Sequence, residues 1–243
     1  MTKTYSKKLI ISGKKAELYY YEEPIKINKK MKKINVKRRT KEEIIEEVKK
    51  SDKAEFKMEV IRDFSLRRTK SRIVRLVDSN PDLKTFVTLT FKENISDLRE
   101  ANLIFKSFIK RLKRKVKDLK YLAVPEFQKR GAVHYHVLVN FEMENKKLAD
   151  IWNQGFVMIN KIKHVNRIGA YVAKYISKDL FDLRYFGMRK ILSSRNLAKP
   201  IILIIRSEIR DFFLKIQKTM KVVLEKAYFS DWLGRIDYRM YEY

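Results

Sequence analysis

Cysteine is absent from the 243-residue chain, and histidine occurs only three times. Without thiols there is no disulfide, no thiolate zinc site and no cysteine nucleophile. Long apolar runs are missing as well. The longest, PIILII at 200–205, stops at Arg206 and falls short of the roughly 20 residues that a membrane-spanning helix needs. The opening stretch MTKTYSKKLIISGKK lacks the apolar centre of a secretory signal. These absences lead us to expect a cytoplasmic protein with no membrane partner. Acid is also scarce: 29 Asp and Glu stand against 57 Lys and Arg, a formal net charge of +28. Such an excess repels itself in a compact chain and is usually matched by a polyanion. Nucleic acid is the first candidate and an anionic membrane surface the second. Hydrophobic residues, at 45%, suffice for a core.

The pattern along the chain predicts an α+β fold. KLIISGKKAELYYYE (8–22) reads as a hairpin turning on Gly13, Lys14 and Lys15. A basic stretch follows at 26–39, with eight Lys or Arg among fourteen residues and no acid, and reads as a linker. Thr40 with Glu43 three residues on is a capping box ahead of a helix. A second helix is expected at 64–77, ended by DSNP. Then come a strand at 85–91, a helix at 95–119 and strands at 121–127 and 132–141. A short helix at 146–154, a strand at 156–163 and a helix at 166–180 complete the series. The order β-α-β-β-α-β-α suits an antiparallel sheet with helices mainly on one face and the other face left for a ligand. Residues 206–227 look helical, and 228–243 look like a strand or packed arm. The expected domains are 1–63 (hairpin, basic linker and helix), 64–206 (central domain) and 207–243 (C-terminal helix and arm).

The chemistry gathers in EFQKRGAVHYHVLVNF, 126–141. His134 and His136 are two apart on a strand and share a face, while Val133, Tyr135, Val137 and Val139 point to the other. A three-residue loop of Lys129, Arg130 and Gly131, with Gly in the positive-φ position, pairs Gln128 with Ala132. Glu126 then lies opposite His134, and a one-residue slip would send it to the far face. In that register Glu126, His134 and His136 could hold a divalent ion of the Mn or Mg type with open positions. A histidine pair on a strand also fits ordinary polar packing. His164 lacks such a context and reads as a surface residue. In AYVAKYISKD (170–179), Tyr171 and Tyr175 are four apart on one helix face, and Lys174 and Lys178 are likewise paired. An amphipathic helix explains that spacing. A tyrosine phenolate nucleophile on phosphorus explains it too.

In that order, TFVTLTF (85–91), EFQKRGAVHYHVLV (126–139) and YVAKYISKD (171–179) resemble the three motifs of the HUH endonucleases. They look most like those of rolling-circle replication initiators (Rep proteins) of small plasmids and single-stranded DNA phages. The resemblance covers about 64–206, with weaker echoes in the N-terminal hairpin and in SSRNLAKP (193–200). It implies an RRM/ferredoxin-like central sheet, with His134, His136 and Glu126 as ligands of Mn²⁺ or Mg²⁺. Both the two-tyrosine pattern YVAKY and the single-tyrosine pattern YISKD are matched. Tyr175 is therefore expected as first nucleophile, with Tyr171 as second nucleophile or base, and Lys178 and Lys174 beside the phosphate. The implied reaction nicks single-stranded or hairpin origin DNA, leaves a 5′-phosphotyrosine and a 3′-OH primer, and later rejoins strands. No Gly-Lys-Ser/Thr phosphate loop is present, so a host helicase and a DNA polymerase are the expected partners.

Phosphate contacts are expected from Lys129 and Arg130 at the hairpin tip. Others are expected from Arg67, Arg68, Arg72 and Arg75 on the helix at 64–77, and from Lys106, Lys110, Arg111, Lys113 and Arg114 on the long helix. Thr88 and Thr90 alternate away from Val87 and Leu89, towards the ligand face. Two other readings stay open: an HUH-type transposase or relaxase, and a non-catalytic basic nucleic-acid-binding domain. Relaxases commonly carry three histidines, so two His and a Glu favour the replication class.

Overall fold

The structure, a computed structural model, describes residues 4–27, 54–162, 168–176, 185 and 188–243. Most of the basic stretch, the capping box at Thr40, His164 and Lys178 lie outside the described residues. The first elements are β1 (Thr4–Ser12), β2 (Lys15–Lys26), α1 (Ala54–Asp78), β3 (Thr85–Thr90), α2 (Leu98–Lys113), β4 (Tyr121–Phe127) and β5 (Val133–Val139). They are followed by α3 (Asn145–Trp152), β6 (Val157–Lys161), α4 (Ile168–Ile176), β7 (Leu192–Ser193), β8 (Ile201–Leu203), α5 (Arg206–Ile216), β9 (Lys221–Ser230) and β10 (Gly234–Glu242). The fold is α+β with two antiparallel sheets among the described residues. No helix there is long and apolar enough to cross a membrane.

The chain divides into two units, Arg39–Ala198 and a second made of Met1–Arg38 with Lys199–Tyr243. This partition differs from the expected boundaries at 64 and 206, because strands from the two ends of the chain share one sheet. That sheet runs β8-β1-β2-β10-β9. Leu9, Ala16, Leu18 and Tyr241 bury one of its faces against Ile209 of α5. On β2, Tyr19 stacks on Tyr21 at 6.2 Å and meets Tyr238 of β10 at 5.0 Å. The N-terminal hairpin is one residue tighter than expected: Ser12 pairs with Lys15 around Gly13, whose φ is 58°. The helix expected over 206–227 stops at Ile216, and β9 begins at Lys221. Val222 and Val223 favour extended backbone, and pairing with β10 along the whole of β9 overrides the weak helical spacing there.

In the middle unit the order β3-α2-β4-β5-α3-β6-α4 is the one expected, and the strands lie β6-β3-β5-β4-β7 with β3 and β5 central. This is the split β-α-β-β-α-β arrangement. Its first face holds Val87, Leu89, Val133, Tyr135, Val137 and Val139 from the strands. The apolar stripe of α2 (Leu98, Ala101, Phe105, Phe108, Ile109 and Leu112) and Trp152 of α3 pack on it. The Phe105 and Tyr135 rings stack at 4.5 Å. With each buried large apolar side chain contributing about 1.5–3 kcal/mol, this face supplies most of the unit's cohesion. Asp97 caps α2 by accepting from the Arg99 N–H at 2.7 Å. The helix ends at Lys113 instead of 119, because the chain turns through Asp118 (φ 51°) to bury Leu119.

The second face is not bare. Ile73, Leu76 and Val77 of α1 and Val172 and Ala173 of α4 cover Phe86, Leu122, Val124 and Leu138. The two helices cross closely at Gly169, where a Cβ would stand 2.8 Å from the Val74 Cα. Beyond this covered part, on the same face, β5 carries its two histidines.

Candidate metal centre

The β4–β5 hairpin has the register argued from its loop. The Gln128 N–H donates to the Ala132 carbonyl at 2.8 Å, and Gly131, at φ 89°, donates back to the Gln128 carbonyl. Glu126 consequently pairs with His134, and Val124 with His136. On the other side of β5, Thr88 pairs with His136 and Thr90 with His134. Pro125 is tolerated in β4 because β7 pairs only with Leu122 and Ala123, so the strand is an edge from Val124 onward. Tyr185 donates its hydroxyl to the Pro125 carbonyl at 3.0 Å and holds that edge.

Side chains on this face converge. The Oε2 of Glu126 lies 2.6 Å from Nε2 of His136 and 3.0 Å from Nε2 of His134. Glu126 and His136 are buried, at 9% and 5% exposure. Burial pushes the Glu126 carboxyl up, but hydrogen bonds from both imidazoles and their charge when protonated outweigh it and hold it at about 2. Ring positions are fixed from behind. Phe86 stacks on His136 at 5.4 Å, and the Thr88 Oγ1 sits 3.5 Å from His136 Nδ1. A ring whose Nδ1 faces a hydroxyl presents Nε2 as its ligand atom.

One carboxylate and two imidazoles, with ligand atoms all within 4.8 Å of one another, make a donor set that fits a divalent cation. Among the described residues this is the one such group. Here the imidazole protons bridge to a shared carboxylate oxygen; in a loaded site an ion would stand in their place.

Tyr171 on α4 meets the edge of Phe86 at 5.4 Å, so it is one ring removed from His136. Lys174 and Tyr175 lie further along the same helix, Tyr175 one turn beyond Tyr171. Tyr135, between the two histidines in sequence, is on the opposite face. It is fully buried, donates to Asn102 Oδ1 at 2.9 Å, and burial first and the neighbouring Tyr185 second push its phenol far above the ordinary range. It is unsuited to act as a nucleophile.

The expected phosphate contacts fall in different places. Lys129 is exposed at the hairpin tip. Arg130 is exposed too, and donates to the Phe91 carbonyl at 2.7 Å and to Gln128 Oε1 at 3.0 Å, tying the tip to the end of β3. Arg67, Arg68 and Lys110 are exposed, and Arg72 of α1 is exposed as well. Arg111 is otherwise engaged: its Nε and Nη2 donate to the carbonyls of Ile151 and Trp152 at 2.9 and 3.1 Å. It closes the C-terminal end of α3, where a cation also meets the helix dipole. Phe86 had no assigned part in the sequence reading. Its signal was there, since it alternates with Thr88 and Thr90 onto the histidine face.

A family described as replication-associated protein, of the ORF2 type, matches residues 84–180 of the chain. The chain is also similar to the phasyl DNA replicon protein arp of Escherichia coli. The two are 28% identical over 148 residues, covering 48% of this chain and 51% of that protein. The chain thus spans about half the length of the curated relative it matches. No solved structure matches. Both matches support a replication-associated protein, and the matched segment 84–180 contains Glu126, His134 and His136 as well as the tyrosines of α4.

Proposed function

We propose that the chain initiates replication by nicking and rejoining single-stranded origin DNA. The carrying observation is the buried Glu126 carboxylate receiving both His134 and His136, with Tyr171 one ring away through Phe86. Glu126, His134 and His136 would hold Mn²⁺ or Mg²⁺, which polarises the scissile phosphate when bound. The chain's own work is then nucleophilic. A tyrosine of α4, Tyr175 by the motif, attacks phosphorus through its phenolic oxygen. The new bond is Tyr O–P, and the bond broken is P–O3′. The phenolic proton passes to a base, for which Tyr171 is placed, and the departing 3′ oxygen takes up a proton to become the primer hydroxyl. The 5′-phosphate stays on tyrosine, so the phosphodiester energy is kept and the reverse attack by a 3′-OH rejoins the strand. Lys174 and Lys178 would neutralise phosphate charge beside it.

The structure favours Tyr171 and Tyr175 over Tyr135 as nucleophiles, since Tyr135 is buried on the far face. The test is incubation with single-stranded DNA carrying the cognate origin, with and without Mn²⁺, followed by a denaturing gel. A covalent adduct is expected with metal only. Tyr175→Phe should abolish the first adduct, whereas Tyr171→Phe should spare it and impair rejoining. Absence of any adduct on cognate origin DNA would sink the reading.

A further inference from the structure

Much of the unit's positive charge lies away from Glu126, and it converges on one groove. The groove follows the sheet edge where β7 closes on β4, between α1 and α2. It encloses about 1160 Å³ and is lined by Arg68 and Arg72 of α1, Lys106 of α2, and Arg189, Lys190 and Arg195 of the strap that carries β7. A cleft of about 760 Å³ shares Lys106, Tyr121 and Arg195 with it and adds Lys110, Lys113 and Lys117. Among the described lining residues of both, the one carboxylate is Asp118. Cations at this density repel one another, and one acid does not offset them, so the balancing charge comes from outside the chain.

The strap is held firmly. Ser194 accepts from the Tyr121 N–H at 3.1 Å and donates its own N–H to the Tyr121 carbonyl at 3.0 Å. Asn196 donates to the Leu119 carbonyl at 3.3 Å. Beyond it, the buried Asn80 bonds both the N–H and the carbonyl of Ala198 at 2.9 Å. Arg189, Lys190 and Arg195 are therefore presented on a fixed frame and lose little freedom on meeting a ligand. Lys190 is half-buried, and burial pushes its ammonium below the ordinary value. An anion placed against it would repair that desolvation. Phe105, Ile109 and Tyr121 form an apolar floor suited to sugar and base faces.

We propose that this groove is a second DNA track, holding the sugar–phosphate backbone of the strand that flanks the segment at Glu126, His134 and His136. The choice of DNA as ligand rests on the nicking reading. The groove itself rests on its charge and frame. Tyr121 and Glu126 stand at the two ends of one strand, about 17 Å apart at ~3.4 Å per residue. That is about five phosphate spacings along one strand of a duplex. Phosphate contacts of this kind position DNA without reading sequence.

Two variants test it. One is Arg189→Ala/Lys190→Ala/Arg195→Ala on the strap. The other is Lys106→Ala/Lys110→Ala/Lys113→Ala on exposed positions of α2, where alanine favours the helix and folding is safe. The control is Lys84→Ala/Lys146→Ala/Lys147→Ala, equally exposed and outside the groove. Binding is measured by anisotropy against salt for three DNAs: the nick segment alone, the segment with a single-stranded flank, and the segment with a hairpin flank. For flanked DNA, each groove variant should lose about tenfold or more at low salt, and its log K against log salt slope should shrink by about 2–3, at ~0.7–0.9 per lost contact. The bare segment should bind as to the unaltered chain. A loss confined to the hairpin assigns a duplex stem, and a loss confined to the single-stranded flank assigns an unpaired strand. Groove variants that match the control, or that lose bare and flanked DNA equally, overturn the proposal. Adduct formation is scored separately. Failed nicking with a groove-dependent flank effect removes only the chemistry; intact nicking without that effect removes only the groove.

Discussion

At the scale of single residues, one alternation decides the candidate site. Because β5 puts its valines on the core face, His134 and His136 have only the other face to occupy, and there the burial of Glu126 makes their convergence costly without a cation or shared protons. His136→Ala is expected to abolish Mn²⁺ binding measured by calorimetry. Thr88→Val should weaken it about tenfold, since the hydroxyl behind Nδ1 only orients the ring. Arg111 gives a contrasting prediction. Arg111→Ala should cost about 1.5–3 kcal/mol in urea unfolding, the range for hydrogen bonds from a charged group. It should leave the salt slope of DNA binding unchanged, because its donors face carbonyls. The first site was legible in sequence because its partners are eight and ten residues apart across one tight turn. The task of Arg111 was not, since its acceptors stand 40 and 41 residues away and a basic helix face looks the same with or without them.

At the scale of elements, two glycines set the geometry that brings α4 and the hairpin to the site. Gly169→Ala would gain at most about 1 kcal/mol of helix propensity. Its Cβ would meet backbone at 2.8 Å on α1, and overpacking against an unyielding neighbour costs about 1–3 kcal/mol. The clash wins, so the variant should be less stable. The Tyr171 fluorescence, quenched or shifted by the Phe86 contact, should change with it. Gly131→Ala should cost about 1–2 kcal/mol because φ 89° is poorly adopted by a residue with a Cβ. The loop was readable since only three residues separate the paired Gln128 and Ala132, and Gly131 names its own position. The close crossing at Gly169 was not readable, since its partner Val74 is on another helix. β9 was misread for a related reason: Val222 and Val223 suit a strand, but only a distant partner, β10, makes one.

For the molecule as a whole, charge and connectivity matter more than any contact. The net charge of +28 predicts steep weakening of DNA binding with salt, whatever the sequence of the DNA. Connectivity predicts separable stability. Removing residues 221–243 deletes β9 and β10, which supply two of the five strands of the terminal sheet, and leaves β2 as a bare edge. Calorimetry should then lose the transition belonging to that unit, while Mn²⁺ binding at Glu126, His134 and His136 persists in the other. A truncation that abolished metal binding would show that the units do not fold apart.

The joining of β2 to β10 also puts a clock into synthesis. Glu17 is made early, yet its partner hydroxyl on Tyr238 emerges 221 residues later. At about 5–20 residues per second, the first hairpin waits about 10–40 s on the ribosome for the strand beside it. Everything from Ala54 to Ala198 is made inside that interval. The metal-binding hairpin can therefore close while β2 still has an unpaired edge, and the nascent chain spends those seconds with its tyrosine-rich strand open to whatever lies nearby.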